Sequence, residues 1–98
     1  MFEGGLALAY LIAGRYQEAL ERADRALHEQ PKATHSVGVK AVACCHLGRI
    51  EKGRECIRRF CELRPGSTIA NVKESMRTAL SPEVLDVYVE GLRQAGLP

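Results

Sequence analysis

Apolar residues recur along the chain with helical spacing, and the pattern alternates between two kinds of helix. Residues 16–29 are mostly charged or polar except for one apolar stripe, formed by Ala19, Leu20, Ala23, Ala26 and Leu27. Such a stripe predicts an amphipathic helix with one buried face. Residues 2–13 differ, because apolar side chains lie on every side and no charge stands between Glu3 and Arg15. A helix of this kind has to be covered on more than one side.

The same two kinds of helix follow in residues 33–46 and 50–62. The first is largely apolar, and the second has a stripe formed by Ile50, Gly53, Ile57, Phe60 and Cys61. Gly48 follows Gly14 by 34 residues, and Pro65 follows Pro31 by the same interval. Glycine and proline both end helices. A fixed period of 34 residues with helical patterning is typical of solenoids built from helix pairs.

The last third of the chain departs from the repeat. Ser67 is predicted to cap a fifth helix, whose apolar positions are Ile69, Val72, Met76, Ala79 and Leu80. Ser81, Pro82 and Glu83 predict the start of a sixth helix, which Gly96 ends. The prediction is therefore an all-α, antiparallel helix-pair solenoid of about six helices in one domain. Repeat 1 covers 1–33, repeat 2 covers 34–66, and a divergent capping pair covers 67–98.

The two repeats resemble the tetratricopeptide repeat, which has small, aromatic and proline residues at fixed offsets. The matching residues of the first copy are Leu6, Ala7, Tyr10, Gly14, Tyr16, Ala19, Ala26, Leu27 and Pro31. Those of the second are Ala41, Cys44, Gly48, Ile50, Gly53, Ile57, Phe60 and Pro65. The family's tryptophan is absent, and Glu3 and Val37 stand in its place. The resemblance implies a two-layer, right-handed superhelix that acts as a scaffold for other proteins.

The tail carries a second resemblance. Its residues are similar to the ending of bacterial proteins in which tetratricopeptide repeats follow a class III adenylate/guanylate cyclase domain. The similar segments are Pro82-Glu83, Tyr88, Glu90-Gly91-Leu92-Arg93 and Ala95-Gly96-Leu97-Pro98. This resemblance implies that the chain is the C-terminal part of a larger bacterial signalling protein, such as a nucleotide cyclase. The catalytic residues of the cyclase would belong to another domain.

Net charge and hydropathy narrow the choice of compartment and partner. A net charge of +2 is too small to indicate a nucleic acid or a membrane surface as the partner. The longest uncharged apolar run, from Leu6 to Ala13, is far shorter than the ~20 residues of a membrane-spanning helix. Glu3 stands where a signal peptide would carry basic residues. These features predict a cytoplasmic protein.

Four cysteines and a neighbouring histidine are the candidates for metal binding or catalysis. Structural zinc sites use ligand pairs separated by roughly two to four residues, and Cys44, Cys45, Cys56 and Cys61 do not form such pairs. Cys45 and His46 point about 100° apart on a helix, whereas a nucleophile and its base need hydrogen-bond contact. We therefore predict no metal, no cofactor and no catalytic site, and we expect reduced thiols that pack as small apolar side chains.

Tetratricopeptide arrays bind peptides or helices in a groove lined by the first helix of each pair. By this resemblance the partner-binding groove would contain Leu8, Leu11, Ile12, Val39, Val42, Cys45 and His46. The expected partner is a protein or peptide that presents an apolar helix or extended segment. Alternatives are homodimerisation, upstream repeats that cover the same face in a longer chain and, less favoured, a nucleic-acid-binding helical array. On this hypothesis Leu11→Glu abolishes partner binding or dimerisation and leaves the helical circular dichroism spectrum largely intact.

Overall fold

Six helices follow one another in the structure, a computed structural model that describes residues 3–98, with side chains described from residue 7 onward. Their bounds are Glu3–Ile12 (α1), Tyr16–Glu29 (α2), Thr34–His46 (α3), Ile50–Leu63 (α4), Ile69–Met76 (α5) and Pro82–Gln94 (α6). Residues 3–98 contain no strand, so the predicted all-α class is confirmed. The predicted start of the first helix at Phe2, and the Leu6 side chain of its stripe, lie outside the described part.

The turns between α1 and α2 and between α3 and α4 have the same backbone structure. Gly14 and Gly48 adopt φ angles of +78° and +79°, which side-chain-bearing residues rarely adopt. The N–H of the residue after each glycine donates to the carbonyl five residues before it, at 2.9 Å in the first turn and 2.8 Å in the second. This arrangement satisfies carbonyls at the helix end. Both helices therefore end where the sequence predicts.

The first four helices form two antiparallel hairpins that pack together through α2 and α3. The predicted stripe of α2 is buried except for Leu27, which is half-buried. α3 contacts α1, α2, α4 and α6. Its buried apolar residues lie on every side of the helix and are Val37, Val39, Ala41, Val42, Ala43 and Cys44. The expectation that an apolar helix needs several neighbours is thus confirmed for α3.

α5 is shorter than predicted and begins at a different cap. It ends at Met76, so Leu80 lies outside it. Ser67 is not its N-cap, since Thr68 takes that role and its hydroxyl accepts from the Asn71 N–H at 3.1 Å. A single apolar side chain of α5, Val72, is buried.

α6 starts and ends as predicted, but its packing was not foreseen. Ser81 caps it by accepting from the Val84 N–H, Pro82 is its first residue, and Gly96 follows it with a φ angle of +113°. The helix packs against α5 and also against α3. The molecule therefore measures 27 × 27 × 25 Å, with no long axis.

Two glycines lie where α3 and α6 cross. A Cβ atom built on Gly38 would collide with the Tyr88 hydroxyl, and one built on Gly91 would collide with a methyl group of Val42. Because neither position has room for a methyl group, the two backbones approach more closely than ordinary side chains allow. The absent side chains are what permit α6 to cover α3.

Candidate functional site

The predicted groove residues divide into a buried and an accessible group. Leu11, Val39 and Val42 are at most 1% exposed. Leu8 and Cys45 are half-buried, and Ile12 and His46 are exposed. A partner can reach the accessible group without any change in the fold, but it cannot reach the buried group.

The α3 residues of the groove are buried because α6 lies over this helix. Gly91 of α6 sits against Val42, and Tyr88 sits against Gly38 one turn earlier on α3. The sequence does contain a signal of this contact, since a glycine stands in the apolar stripe of each helix. Helical periodicity identifies an apolar face but does not identify the helix that covers it.

One side of α1 remains both apolar and accessible. We call it the α1 face and define it by Leu8, Ala9, Ile12 and Ala13. Ala9 and Ala13 are exposed, Leu8 is half-buried, and Ile12 is 40% exposed. No charged residue occurs from position 4 to position 14. A helix on the surface of a globular protein normally presents polar residues to water, so this face is unusual.

The two inter-helix turns meet at the same end of the molecule. The ring of Tyr16, at the start of α2, stacks on the ring of His46, at the end of α3, with centroids 4.2 Å apart and an interplanar angle of 5°. Ile50 begins α4 at this end and is 40% exposed, although its stripe predicted burial. His46 thus contacts an aromatic ring of the neighbouring repeat.

Arg15 and Glu18 form an ion pair just after α1. Arg15 donates to both carboxylate oxygens of Glu18, at 2.5 and 2.6 Å, and its guanidinium lies 5.0 Å from the centre of the Tyr10 ring. The side chains of Arg15 and Glu18 are 57% and 39% exposed, which limits their contribution to stability.

A second surface feature is a pocket of about 200 Å³ between α3, α4, α5 and α6. Its wall contains His35, Arg64 and Tyr88. Burial lowers the pKa of His35 and raises that of Tyr88. The His35 ring lies 5.7 Å from that of Tyr88. The two shifts favour the uncharged imidazole of His35 and the protonated phenol of Tyr88.

The cysteines do not form a metal site in the described part of the chain. All four thiols are free, with Cys44 and Cys56 buried and Cys45 and Cys61 half-buried. No group of three or more histidine, cysteine or acidic side chains among the described residues is arranged to hold a metal ion. Cys56 is a buried residue of α4 that the predicted stripe omitted.

Within the described residues, no helix combines the length and the apolar character required to cross a bilayer. Compared with known protein families and curated proteins, the chain matches no family model and no curated protein. The tetratricopeptide resemblance therefore rests on the residues of the two repeats themselves.

Proposed function

We propose that the chain is a protein-interaction module of the tetratricopeptide type that holds a protein partner against the α1 face. The observation that carries this proposal is that face itself, with Leu8, Ala9, Ile12 and Ala13 accessible and with no charge from position 4 to position 14. Water exposure of such a stripe is unfavourable by about 25 cal/mol per Å² of apolar surface. An occupant that covers the stripe recovers this free energy.

The partner that fits best is an amphipathic helix. An apolar stripe along one helix is complementary to the apolar stripe of another, as in other helix-binding grooves. On α3 the corresponding surface is covered by α6, so α1 provides the docking surface in this chain. Two further side chains of the first two repeats, His46 and Ile50, are also exposed.

Self-association is a second candidate, and the absence of charge from the α1 face favours it. In a symmetric dimer the same surface packs against its own copy, so like charges would repel across the axis. The α1 face carries no charge and can pair with itself. In the larger signalling protein that the tail resembles, such a dimer would bring two cyclase domains together.

A nucleic-acid-binding array is supported less well. The basic residues of α4 alternate with acidic ones, and Arg54 and Arg59 lie 3.7 Å from Glu51 and Glu62, respectively. Phosphate binding requires basic side chains that are available to replace counterions. Paired charges on an exposed helix are typical of a solvated face.

The test compares two variants that place the same charge at equally exposed apolar positions. Ile12→Glu lies in the α1 face, and Val87→Glu, at a residue that is 43% exposed on α6, is the matched control. Light scattering across a dilution series measures self-association. If the wild-type chain is a monomer, peptides that bind it are selected from a displayed library. Their affinities for the wild-type chain and for both variants are then measured by fluorescence anisotropy.

We expect Ile12→Glu to weaken the dimer or the selected peptides at least tenfold, and Val87→Glu to leave association within twofold, because only the first buries a charge in the interface. If the chain is a monomer and the selected peptides bind the two variants with equal affinity, the proposal is contradicted. Binding of an oligonucleotide that weakens steeply between low and high salt would favour the nucleic-acid alternative.

A further inference from the structure

The pocket between α3, α4, α5 and α6 contains a tyrosine hydroxyl that has no hydrogen-bond partner among the described residues. The Tyr88 side chain is 1% exposed, and burial and the charge of Arg64, without any hydrogen bond, shift its pKa. A buried tyrosine hydroxyl is usually hydrogen-bonded. Among the described residues no fully enclosed side-chain oxygen or nitrogen lacks a partner, so this hydroxyl is open to water. The pocket that Tyr88 lines provides the opening.

Aromatic rings form one part of the pocket wall. A Cβ atom built on Gly38 of α3 would collide with the Tyr88 hydroxyl and would lie 3.3 Å from an edge carbon of the Phe60 ring. Both rings therefore lie over the same turn of α3. The His35 ring, one turn earlier on this helix, lies 5.7 Å from the Tyr88 ring. All three rings line the pocket, and Met76 and Val72 of α5 add apolar surface beside them.

The polar part of the wall is positively charged. Arg64, the residue that follows α4, lines this pocket and also a smaller one next to it. Its positive charge lowers the pKa of Tyr88, against the burial that raises it, so the guanidinium acts on the hydroxyl. Burial lowers the pKa of His35 and favours its uncharged form. Among the described residues the wall contains no aspartate or glutamate, and Arg64 is its one full charge.

The N-terminal end of α3 adds to this positive potential. Thr34 and His35 are the first two residues of this 13-residue helix, and no side chain caps it. The Val37 N–H donates to the Ala33 carbonyl at 3.1 Å, whereas the N–H groups of the preceding turn have no carbonyl within the helix to bond. Such a helix end carries a partial positive charge and favours an anion nearby.

We propose that this pocket binds a small aromatic monocarboxylate, with the carboxylate at Arg64 and the Tyr88 hydroxyl and the ring against Phe60 and Met76. A guanidinium matches the two oxygens of a carboxylate, and the phenol supplies a further donor. One positive side chain balances one negative charge, so a monocarboxylate fits better than a phosphate dianion. The rings and the methionine sulfur favour an aromatic body.

The size of the pocket limits the ligand to about one ring. Its volume of about 200 Å³ is the share of roughly seven water molecules in the liquid, and it lies below the ~300–1,000 Å³ of pockets for drug-sized ligands. The described residues of α1 do not line it. The proposal therefore goes beyond the interaction function and does not depend on the occupant of the α1 face.

The first test titrates the ¹⁵N-labelled full chain with benzoate and follows the amide signals by NMR. We expect the signals of Thr34, His35 and Ser75 to shift with a dissociation constant of about 1 mM or below, which is ordinary for a ligand of this size. Benzamide, a neutral molecule of the same shape, and inorganic phosphate, an anion without a ring, should bind at least about tenfold more weakly. No shift at about 20 mM benzoate, or shifts confined to the α1 face, would overturn the proposal.

The second test removes the charge that is assigned to the carboxylate. Arg64→Gln should weaken benzoate at least about tenfold and abolish the preference for benzoate over benzamide. Arg58→Gln is the matched control, because Arg58 is also exposed but lies on α4 outside this wall. Its benzoate affinity should stay within about twofold of the wild type. Equal weakening in the two variants would show a general attraction to positive charge and would overturn the site.

The third test removes only the unpartnered hydroxyl. Tyr88→Phe should weaken benzoate about 3- to 10-fold, because a hydrogen bond to the carboxylate is lost. The melting temperature should not fall, since the hydroxyl has no partner among the described residues to lose. A lower melting temperature with unchanged benzoate affinity would show that the hydroxyl serves the fold and would contradict its role in binding.

Discussion

Leu11→Glu should unfold the chain or nearly so, whereas Ile12→Glu, one residue later, should leave it folded. Leu11 is 1% exposed and Ile12 is 40% exposed. The first substitution loses about 1.5–3 kcal/mol of leucine burial and also places a carboxylate in an apolar core, which costs several kcal/mol more. The sum approaches the ~5–15 kcal/mol total stability of a small domain. The second substitution should cost about 1 kcal/mol or less.

Urea unfolding followed by circular dichroism measures both effects. The loss in free energy of unfolding caused by Leu11→Glu should be smaller at pH 4 than at pH 7. Burial raises the folded-state pKa of the new carboxyl above the unfolded value, so the folded state binds the proton more tightly. The variant therefore loses stability as the pH rises from 4 to 7. Similar urea midpoints for the two variants would show that Leu11 is not in the core. The result also decides which variant can report on association, since an unfolded chain cannot.

The first four helices could be predicted from the sequence because their ends are set by local signals. Gly14 and Gly48 accept a left-handed backbone, and Pro31 and Pro65 prevent continuation of the second helix in each repeat. A signal of this kind acts within a few residues and does not depend on the rest of the fold. The bounds of α1 to α4 therefore agree with the prediction to within about a residue over the described part of the chain.

α5 shows where local signals are insufficient. Ser67 and Thr68 both have a hydroxyl that could cap a helix, and the structure uses Thr68 because Ser67 donates to the Arg64 carbonyl instead, at 2.6 Å. Ala79 and Leu80 continue the apolar spacing but follow the end of the helix. Nothing in the spacing distinguishes apolar residues within a helix from those that follow it.

The candidate site was predicted in part, for a physical reason. Periodicity identifies α1 and α3 as apolar helices, and Ile12 and His46 are accessible as a binding surface requires. Val39 and Val42 are buried because α6, some 50 residues further along the chain, packs on α3. Such a contact depends on the three-dimensional path of the chain.

Gly91→Ala should destabilise the fold by about 2–3 kcal/mol, although alanine is the better helix former by roughly 1 kcal/mol. The new Cβ would lie 2.8 Å from one Val42 methyl carbon, would collide with the other, and would lie 3.0 Å from the Val42 Cβ. Valine in a helix has essentially one side-chain rotamer, so it cannot turn away. α6 must then move away from α3 and leave other contacts incomplete.

A double-mutant cycle tests whether this particular contact is the cause. Val42→Ala alone should cost about 2–3 kcal/mol through the cavity it leaves, but it removes both methyl groups that the alanine at position 91 would meet. The double variant should therefore be more stable than the sum of the two costs predicts, by about 1–3 kcal/mol in urea unfolding. Gly53→Ala is the matched comparison, since its Cβ meets the half-buried Cys45 sulfur at 2.7 Å, and Cys45→Ala should relieve that contact in the same way. Strict additivity for positions 42 and 91 would mean that α6 does not cross α3 at Gly91, and the α3 part of the groove would then be open to a partner.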